Sequence, residues 1–473
     1  MPANVVIIHG WSDTSKSFRP LRDYLSDHGH QVSELWLGDY ISMDDDVHVE
    51  DVAKKMQEVV ASYIGDGRLT QPFDLIVHST GGLVVRDWIW RFHAADTPCP
   101  AKRVIMLAPA NFGSKLASTG RSLLGRVIKG WGNWFHTGKR MLDDLELASA
   151  YQWDLARRDL LDPTGASGEG PYGPGKIWPF VIVGTHGYSD GLQRVVNENG
   201  SDGTVRVPAA NLNAVGMTID FTKAPFDAPA LRPWGMRTPI AIPFAVLPGR
   251  NHGSIIHPET GPEGLDDQLG KLILDALACP DDAGYARIAA DWEALTDATG
   301  RLATDAAARH AQFNTDVGAE PFHQYLQAVV RVIDDLGRPV DDFFLEFFDP
   351  DSPGRTATDD TVFFQHEVLE DVHPNANMPS SRCLYVDRTD LATRFYTAVN
   401  AKRIAMSISA APIGDHIHYF DDTRIGAKGS VTIHAEAVDE RDTLDARLFH
   451  NRTHLVEIII PRQGTADVFR LSQ

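Results

Sequence analysis

A single serine stands where a run of strand-forming residues gives way to a helical pattern. The apolar run 73–77 stops just before Ser79, and helical spacing resumes at residue 83. The residues that surround the serine are His78, Thr80, Gly81 and Gly82. A serine on so abrupt a strand-to-helix turn is held exposed at the carboxyl edge of a sheet, where small neighbours avoid a clash. The sequence therefore predicts a nucleophilic hydroxyl at Ser79. The alternative is a serine that only caps the following helix.

A nucleophilic serine needs a base, and the base needs a carboxylate to orient it. Downstream of Ser79, Asp202 and His252 each lie in a loop that follows a strand-like run. Asp190 is an alternative acid, but it lies closer to its preceding strand and lacks strand-like residues after it. His257 is an alternative base, five residues further on in a predicted turn or helix. We favour Asp202 and His252, because loops at successive strand ends converge on one edge of a sheet.

Attack of the serine on an acyl carbonyl creates an oxyanion, which fixed N–H groups must stabilise. One predicted donor is the backbone amide of Thr80 at the start of the helix. The other is the amide of Trp11, in the loop after the first strand, where Gly10 allows close approach of the backbone. His9 is predicted to be a structural hydrogen-bonding residue. His78, Gly81 and Gly82 complete the predicted supporting set.

These side chains require a sheet that brings distant loops together. Residues 4–280 alternate apolar strands with amphipathic helices, as in an α/β protein with a parallel sheet covered on both faces. The alternation breaks between residues 112 and 176, which we interpret as a lid insertion with a Gly/Pro-rich end. A second irregular stretch, 213–239, is predicted to lie over the edge of the sheet.

Five segments occur in an order that resembles the lipase branch of the α/β-hydrolase superfamily. They read VIIHGW, VHSTGG, LAPANFGS, SDGTVRVP and NHGSIIH, and Val77 replaces the usual first glycine of G-x-S-x-G. The resemblance covers about residues 4–280. It implies an α/β-hydrolase fold and a serine carboxylic-ester hydrolase that forms an acyl-enzyme, with Ser79, His252 and Asp202 as its triad.

The His-Ser-Thr-Gly-Gly elbow, the chain length and the β-rich C-terminal half are similar to the PlaB-type family of bacterial phospholipases A/lysophospholipases. That resemblance implies deacylation of glycerophospholipids, membrane association and homo-oligomers. The expected substrates are long-chain acyl esters, with phospholipid or lysophospholipid before neutral lipid. A neutral-lipid lipase or esterase, an acyltransferase and a non-enzymatic lipid-binding scaffold are the alternatives. No metal or organic cofactor is expected.

The lid insertion carries a basic and aromatic patch. Between residues 112 and 142 it has six Lys or Arg residues before the first acidic residue. The predicted lipid-contacting residues are Arg126, Lys129, Trp131, Trp134 and Phe135. Such a patch suits a peripheral contact with an anionic membrane surface. The alternative is a lid helix that packs its apolar face on the hydrolase core and exposes its cations to solvent.

The C-terminal part of the chain has a different character. Residues 281–316 are predicted to be a helical connector, and 317–473 a β-sandwich-like domain. Its expected strands include 362–366 and a pair around the Asp-Asp-Leu-Gly turn at 334–337. The aromatic cluster DDFFLEFFD is interpreted as sandwich core, or alternatively as a surface for membrane or subunit contact.

Composition narrows the expected partners. The formal net charge is −20, which argues against binding of nucleic acid, and the three cysteines form no CxxC pair. The N-terminal residues lack the pattern of a signal peptide, and no apolar run reaches the length of a membrane-spanning helix. We therefore expect a bacterial protein that is cytoplasmic or peripherally bound to a membrane.

Overall fold

The structure is a computed structural model that divides into two compact units. The first comprises residues 1–162, 167–213 and 236–323, and the second comprises 163–166, 214–235 and 324–473. The described residues are 3–8, 17–35, 46–94, 97–117, 138–188, 197–223, 227–238, 240–261, 264–313, 319–351, 354–398, 400–401, 403–411, 414, 416–419, 431–434 and 448–464.

The elements up to residue 313 alternate mostly as strand and helix. The strands are β1 (Ala3–Ile8), β2 (Val32–Leu35), β3 (Leu69–His78), β4 (Ala101–Leu107), β5 (Leu161–Asp162), β6 (Trp178–Gly184), β7 (Val215–Asp220), β8 (Ala230–Pro233), β9 (Gly235–Met236) and β10 (Phe244–Leu247). The helices are α1 (Arg19–Asp27), α2 (Val49–Gly65), α3 (Gly81–His93), α4 (Lys139–Leu145), α5 (Ala150–Asp159), α6 (Val207–Ala210), α7 (Gln268–Ala278) and α8 (Asp282–Phe313). Short 3₁₀ turns occupy Lys115–Ala117, Ser254–Ile256 and Glu320–Phe322.

The first unit is built on a six-stranded parallel sheet. Its strand order is β10-β6-β4-β3-β1-β2. The inner strands are runs of Val, Ile, Leu and Phe that are almost fully buried, as expected for strands with helices on both faces. Because all strands are parallel, their carboxyl ends lie at one edge, and the chain order reverses between β1 and β3. Loops at such a reversal form the crevice in which α/β proteins hold ligands.

Helix α8, predicted as a connector, is part of the first unit. Tyr285, Ile288 and Trp292 have helical spacing and enter the same core cluster as the sheet. The Thr296 hydroxyl accepts a hydrogen bond from the backbone N–H of Val246, and the Thr299 hydroxyl donates one to the backbone carbonyl of Val246. The first unit therefore extends to residue 323, well beyond the expected boundary at 280.

The second unit takes most of its strands from the C-terminal part of the chain. Its further strands are β11 (Tyr325–Asp334), β12 (Phe343–Phe348), β13 (Leu369–Pro374), β14 (Ser381–Asp387), β15 (Arg403–Ala410), β16 (Ile417–Tyr419), β17 (Val431–His434), β18 (Thr453–Ile460) and β19 (Arg462–Gly464). Its helices are α9 (Ala357–Glu367), α10 (Arg388–Asp390) and a π-helix at Leu391–Ala398. Its sheets have the orders β13-β14-β11-β18-β7-β8, β12-β15-β17 and β16-β19.

The structure of this unit differs from the sequence-based predictions at three places. Residues 362–366, predicted as a strand, lie in α9, which begins with a capping box formed by Thr356 and Asp359. The turn at 334–337 is present, and backbone hydrogen bonds join residues 332–334 to residues 338–340 across it. The pairing ends there, because β11 and β12 belong to different sheets. The stretch 213–239 supplies β7 and β8 to the second unit, where β7 pairs in parallel with β18.

The aromatic cluster is mainly core. Phe343 is buried, and the rings of Phe347 and Phe364 stack at 4.6 Å. Phe344 is 49% exposed, since adjacent residues of a strand face opposite sides of the sheet.

Candidate active site

Ser79 occupies a strained turn between β3 and α3. Its φ of 55° lies in the left-handed region, which is rare for residues other than glycine and typical of a nucleophile elbow. The turn is fixed by hydrogen bonds from the Ser79 amide to the Leu107 carbonyl and from the Gly82 amide to the Ser79 carbonyl, both 3.1 Å long. A Cβ atom on Gly82 would lie 2.7 Å from that of Pro109, so only glycine fits there. The elbow predicted from the sequence is therefore present.

The side chains of Ser79, His252 and Asp202 form a continuous hydrogen-bonded chain. His252 Nε2 lies 3.1 Å from Ser79 Oγ, and His252 Nδ1 lies 2.8 Å from Asp202 Oδ2. Asp202 and His252 are fully buried, and Ser79 is 5% exposed. With the Nδ1 proton donated to Asp202, the unprotonated Nε2 can accept the proton of the serine hydroxyl. This arrangement fits general-base activation of a nucleophile.

The loop of Asp202 fixes which carboxylate oxygen meets the imidazole. Asp202 Oδ1 accepts hydrogen bonds from the amides of Thr204 (2.9 Å) and Val205 (2.7 Å), which leaves Oδ2 for His252. The backbone also joins the two residues, because the His252 amide donates to the Asp202 carbonyl at 3.0 Å. The orientation of the acid is therefore built into the backbone of its loop.

An ion-pair cluster that the sequence did not reveal holds the same loop. Glu198 pairs with Arg206 at 2.8 Å and with Lys115 at 2.9 Å. Burial by itself would raise the pKa of the Glu198 carboxyl, but hydrogen bonds and charge from Arg206 and Lys115 outweigh it and lower that pKa. The cluster ties the start of the lid insertion to the loop of the acid.

The competing base, His257, does not join this site. His257 lies elsewhere, with Nε2 donating to the Ser17 carbonyl at 3.2 Å. Asp190 lies outside the described residues. The structure thus brings together the pair favoured from the sequence, Asp202 and His252.

His78 connects the elbow to the loop of the base. Its Nε2 donates to the backbone carbonyl of His252 at 3.0 Å, and the two imidazole rings lie 4.6 Å apart. Phe18 packs edge-on against the His78 ring at 5.7 Å. His78 is fully buried, so its hydrogen bond helps to fix the position of His252 without contacting the hydroxyl itself.

The predicted oxyanion donors are only partly covered by the described residues. Thr80 is the N-cap residue of α3 and is 4% exposed. No acceptor among the described residues takes its amide hydrogen, which is the state that an oxyanion donor requires before substrate binds. His9, Gly10 and Trp11 lie outside the described residues, so the second donor stays a prediction.

A buried ion pair anchors the elbow helix and was not predicted from the sequence. Arg86 of α3 makes a two-pronged contact with Asp159 of α5 at 2.8 and 2.9 Å and also donates to the Asn111 carbonyl. Both charged side chains are completely buried. Burial would lower the pKa of Arg86, but the charge of Asp159 outweighs it and the pKa is raised. Removal of either partner would leave an unpaired buried charge.

The proposed membrane-contacting residues Arg126, Lys129, Trp131, Trp134 and Phe135 also lie outside the described residues. Lys139 and Arg140, which follow them, are exposed at the start of α4. In the part of the chain that the structure describes, no helix combines the length and the apolar character needed to cross a bilayer.

Comparison with known proteins adds to the geometry. A scan against models of protein families finds no match, and a search of curated proteins finds none either. Among solved structures, 99% of the chain matches 96% of phospholipase PlaB from Legionella pneumophila, with 25% sequence identity and a TM-score of 0.76. The structure of that phospholipase in complex with thio-NAD matches over the same shares, with 24% identity and a TM-score of 0.74.

The fold is that of the α/β hydrolases with an additional β-rich unit, and the chain is a carboxylic ester hydrolase of the lipolytic kind. The predicted resemblance to the PlaB-type phospholipases is confirmed, and it extends over nearly the whole chain, including the C-terminal part that no motif covered.

Proposed function

We propose that the chain is a phospholipase A/lysophospholipase that uses Ser79, His252 and Asp202 as a catalytic triad. The observation that carries this proposal is the hydrogen-bonded chain from Ser79 Oγ through the His252 imidazole to Asp202, with distances of 3.1 and 2.8 Å. The choice of substrate rests on the full-length likeness to a phospholipase. Homo-oligomer formation and peripheral membrane binding are proposed on the same likeness.

In the proposed reaction, Ser79 Oγ attacks the acyl carbonyl while His252 Nε2 takes its proton. The Thr80 amide, at the N-terminus of α3, stabilises the oxyanion, and Trp11 is the proposed second donor. His252 then gives the proton to the leaving alcohol, and Asp202 stabilises the imidazolium throughout. Water repeats the sequence on the acyl-enzyme and releases a free fatty acid. Every step uses groups of this chain and water.

The strain at Ser79 supports this role. A non-glycine residue at φ 55° costs about 1 kcal/mol or more and persists where the surrounding structure enforces it. Here the hydrogen bonds of the turn and the close contact between Gly82 and Pro109 enforce it. The consequence is that Oγ stands at the end of β3, within reach of the imidazole.

A hydrolysis panel tests the proposal. The full-length chain is assayed against p-nitrophenyl esters of increasing chain length, phospholipid micelles and lysophospholipid micelles, with Ser79→Ala as the control. We expect activity on both phospholipid classes that disappears in Ser79→Ala, together with labelling of the unmodified chain by a fluorophosphonate. Activity restricted to short esters would refute the phospholipase assignment, and labelling that persists in Ser79→Ala would refute the nucleophile. Added alcohol acceptors distinguish acyl transfer from hydrolysis.

Membrane binding is tested separately on the lid patch. Arg126, Lys129, Lys139 and Arg140 are replaced together by glutamine, and binding to anionic liposomes is measured by sedimentation. We expect weaker binding and a smaller dependence on salt, because each cation near an anionic surface contributes about 1 kcal/mol. Unchanged binding would contradict the role of the patch.

A further inference from the structure

The hydroxyl of Ser114 contacts the loop that carries Asp202. Ser114 Oγ donates a hydrogen bond to the backbone carbonyl of Thr204, with a distance of 2.6 Å between the oxygens. This carbonyl belongs to the peptide group between Thr204 and Val205, whose N–H donates to Asp202 Oδ1 at 2.7 Å. A trans peptide group is planar, and its C=O and N–H point in opposite directions. A hydrogen bond that holds the carbonyl therefore also aims the N–H at the carboxylate.

These contacts extend the hydrogen-bonded chain of the active site beyond the acid. The chain runs from the Ser114 hydroxyl through the 204–205 peptide to Asp202, and then to His252 and Ser79. Hydrogen bonds in such a chain polarise one another, so the donor on the carbonyl strengthens the peptide N–H as a donor to Oδ1. The stronger bond at Oδ1 resists rotation of the carboxylate and keeps Oδ2 opposite the imidazole.

The backbone that presents the Ser114 hydroxyl is itself tied to the nucleophile. The Ala110 amide donates to the Ser79 carbonyl at 3.2 Å, and the Ser114 amide donates to the Leu145 carbonyl at 3.0 Å. Gly113, directly before Ser114, has a φ of 89°, a conformation that favours glycine. Ser114 thus connects the peptide beside the acid to a segment that is hydrogen-bonded to the turn of the nucleophile.

Burial makes each of these contacts matter. Asp202 and Val205 are fully buried, and Ser114 is 8% exposed. At a buried site water does not readily replace a lost partner, so removal of one hydroxyl leaves the peptide and then the carboxylate less well held.

We propose that Ser114 is a positioning residue that acts on the reaction through Asp202. Its hydroxyl keeps the 204–205 peptide in the orientation in which the peptide N–H meets Asp202 Oδ1. The carboxylate, held in this way, keeps His252 in the tautomer that accepts the proton of Ser79. The inference rests on the proposed function, because it assigns a role within the same triad.

Ser114→Ala tests the positioning role, and Ser149→Ala is its matched control. Ser149 is a buried serine of the same unit, and its Oγ donates to the Asp144 carbonyl at 2.9 Å and accepts the Gln152 amide at 3.3 Å. Ser114 has the same two kinds of bond, since its Oγ also accepts the Leu116 amide at 3.3 Å. In hydrolysis of a p-nitrophenyl ester, Ser114→Ala should lower kcat by about fivefold to tenfold with KM unchanged, as the loss of one hydrogen bond implies. Ser149→Ala should leave kcat unchanged.

A double-mutant cycle with Asp202→Ala separates a role through the acid from a general effect on the fold. Asp202→Ala removes the carboxylate that receives the peptide N–H, so adding Ser114→Ala should then change the rate by less than about twofold. The rate of fluorophosphonate labelling of Ser79 gives the same comparison where turnover is slow. Ser114→Thr keeps a hydroxyl and should retain more activity than Ser114→Ala. If Asp202→Ala does not fold, Asp202→Asn serves in the cycle, because its amide also disconnects the acid from the imidazole.

The outcomes distinguish this inference from the proposed function. If the unmodified chain shows no hydrolysis above that of Ser79→Ala, the proposed function is refuted and the inference falls with it. If the unmodified chain is active but Ser114→Ala behaves like Ser149→Ala, the proposed function stands and the inference is overturned. A loss in Ser114→Ala that is equally large with and without the Asp202 carboxylate would also overturn it, since the hydroxyl would then support the fold alone.

Discussion

Replacement of Asp202 by asparagine is the sharpest test of the catalytic proposal. The asparagine oxygen can keep the hydrogen bonds from the amides of Thr204 and Val205, which now fix Oδ1. The new amide nitrogen then faces His252 Nδ1 at the position where Oδ2 accepted the proton. Because two donors cannot face each other, the imidazole proton moves to Nε2, and His252 can no longer accept the proton of Ser79. The loss of the negative charge also destabilises the imidazolium.

The expected loss in kcat is about 10⁴-fold, as for other triads whose acid becomes an amide. It corresponds to about 5 kcal/mol of transition-state stabilisation. Hydrolysis of a p-nitrophenyl ester and of lysophospholipid micelles gives the rates, and the melting temperature reports on the fold. Asp266→Asn is the matched control, since Asp266 also lies 3.2 Å from a histidine, His28, in the same unit. A folded Asp202→Asn variant whose kcat falls by less than tenfold would refute the argument from the imidazole tautomer.

Three further predictions concern stability. Gly82→Ala should destabilise the chain by about 1–3 kcal/mol, because its Cβ would lie 2.7 Å from that of Pro109, whereas Gly65→Ala at the end of α2 has open space and should be neutral or slightly stabilising in urea denaturation. The pKa of His454, which burial lowers from 6.5 to about 4, means that the unfolded chain binds a proton first as the pH falls. The free energy of unfolding should therefore decrease by about 3 kcal/mol between pH 7.5 and pH 4. In His454→Gln this decrease should be smaller, and an equally large decrease would contradict the lowered pKa of His454. The pKa of Glu198 is lowered because the folded protein stabilises its carboxylate. The contribution of Glu198 to stability is therefore present above pH 4.5, the ordinary pKa, and is lost as the pH falls through the lowered pKa. Glu198→Gln should therefore have a lower melting temperature than the unmodified chain at pH 7, with the difference shrinking at acid pH, and a constant difference would argue against the ion-pair cluster.

Local patterns in the sequence were sufficient for the elbow and for the two residues that meet it. The abrupt change from strand to helix marked Ser79, and the loops after later strands marked Asp202 and His252. These residues are predictable because a parallel sheet aligns the carboxyl ends of its strands, so that the positions of the loops follow from the order of the elements. The catalytic roles of the three residues remain predictions, although their geometry agrees with those roles.

Other features depended on residues that are distant in sequence. Residues 362–366 contain Val and two Phe and read as a strand, yet the capping box at Thr356 and the packing of Phe364 place them in a helix. Strand β7 was assigned to the hydrolase region from its place in the chain, but its hydrogen-bonding partner is β18, more than two hundred residues later. Secondary-structure propensity is a weak local preference, and burial against distant partners overrides it.

The sequence by itself predicted which serine, aspartate and histidine meet, and it predicted the alternation of elements that carries them, because each has a short-range chemical signature. Only the tertiary structure decided the buried pair of Arg86 and Asp159, the support of the His252 loop by His78, and the contact of Ser114 with the Thr204 carbonyl. Those features arise where side chains from separate segments are removed from water together. The free energy of such contacts depends on burial and on partner geometry, which the order of residues along the chain does not express.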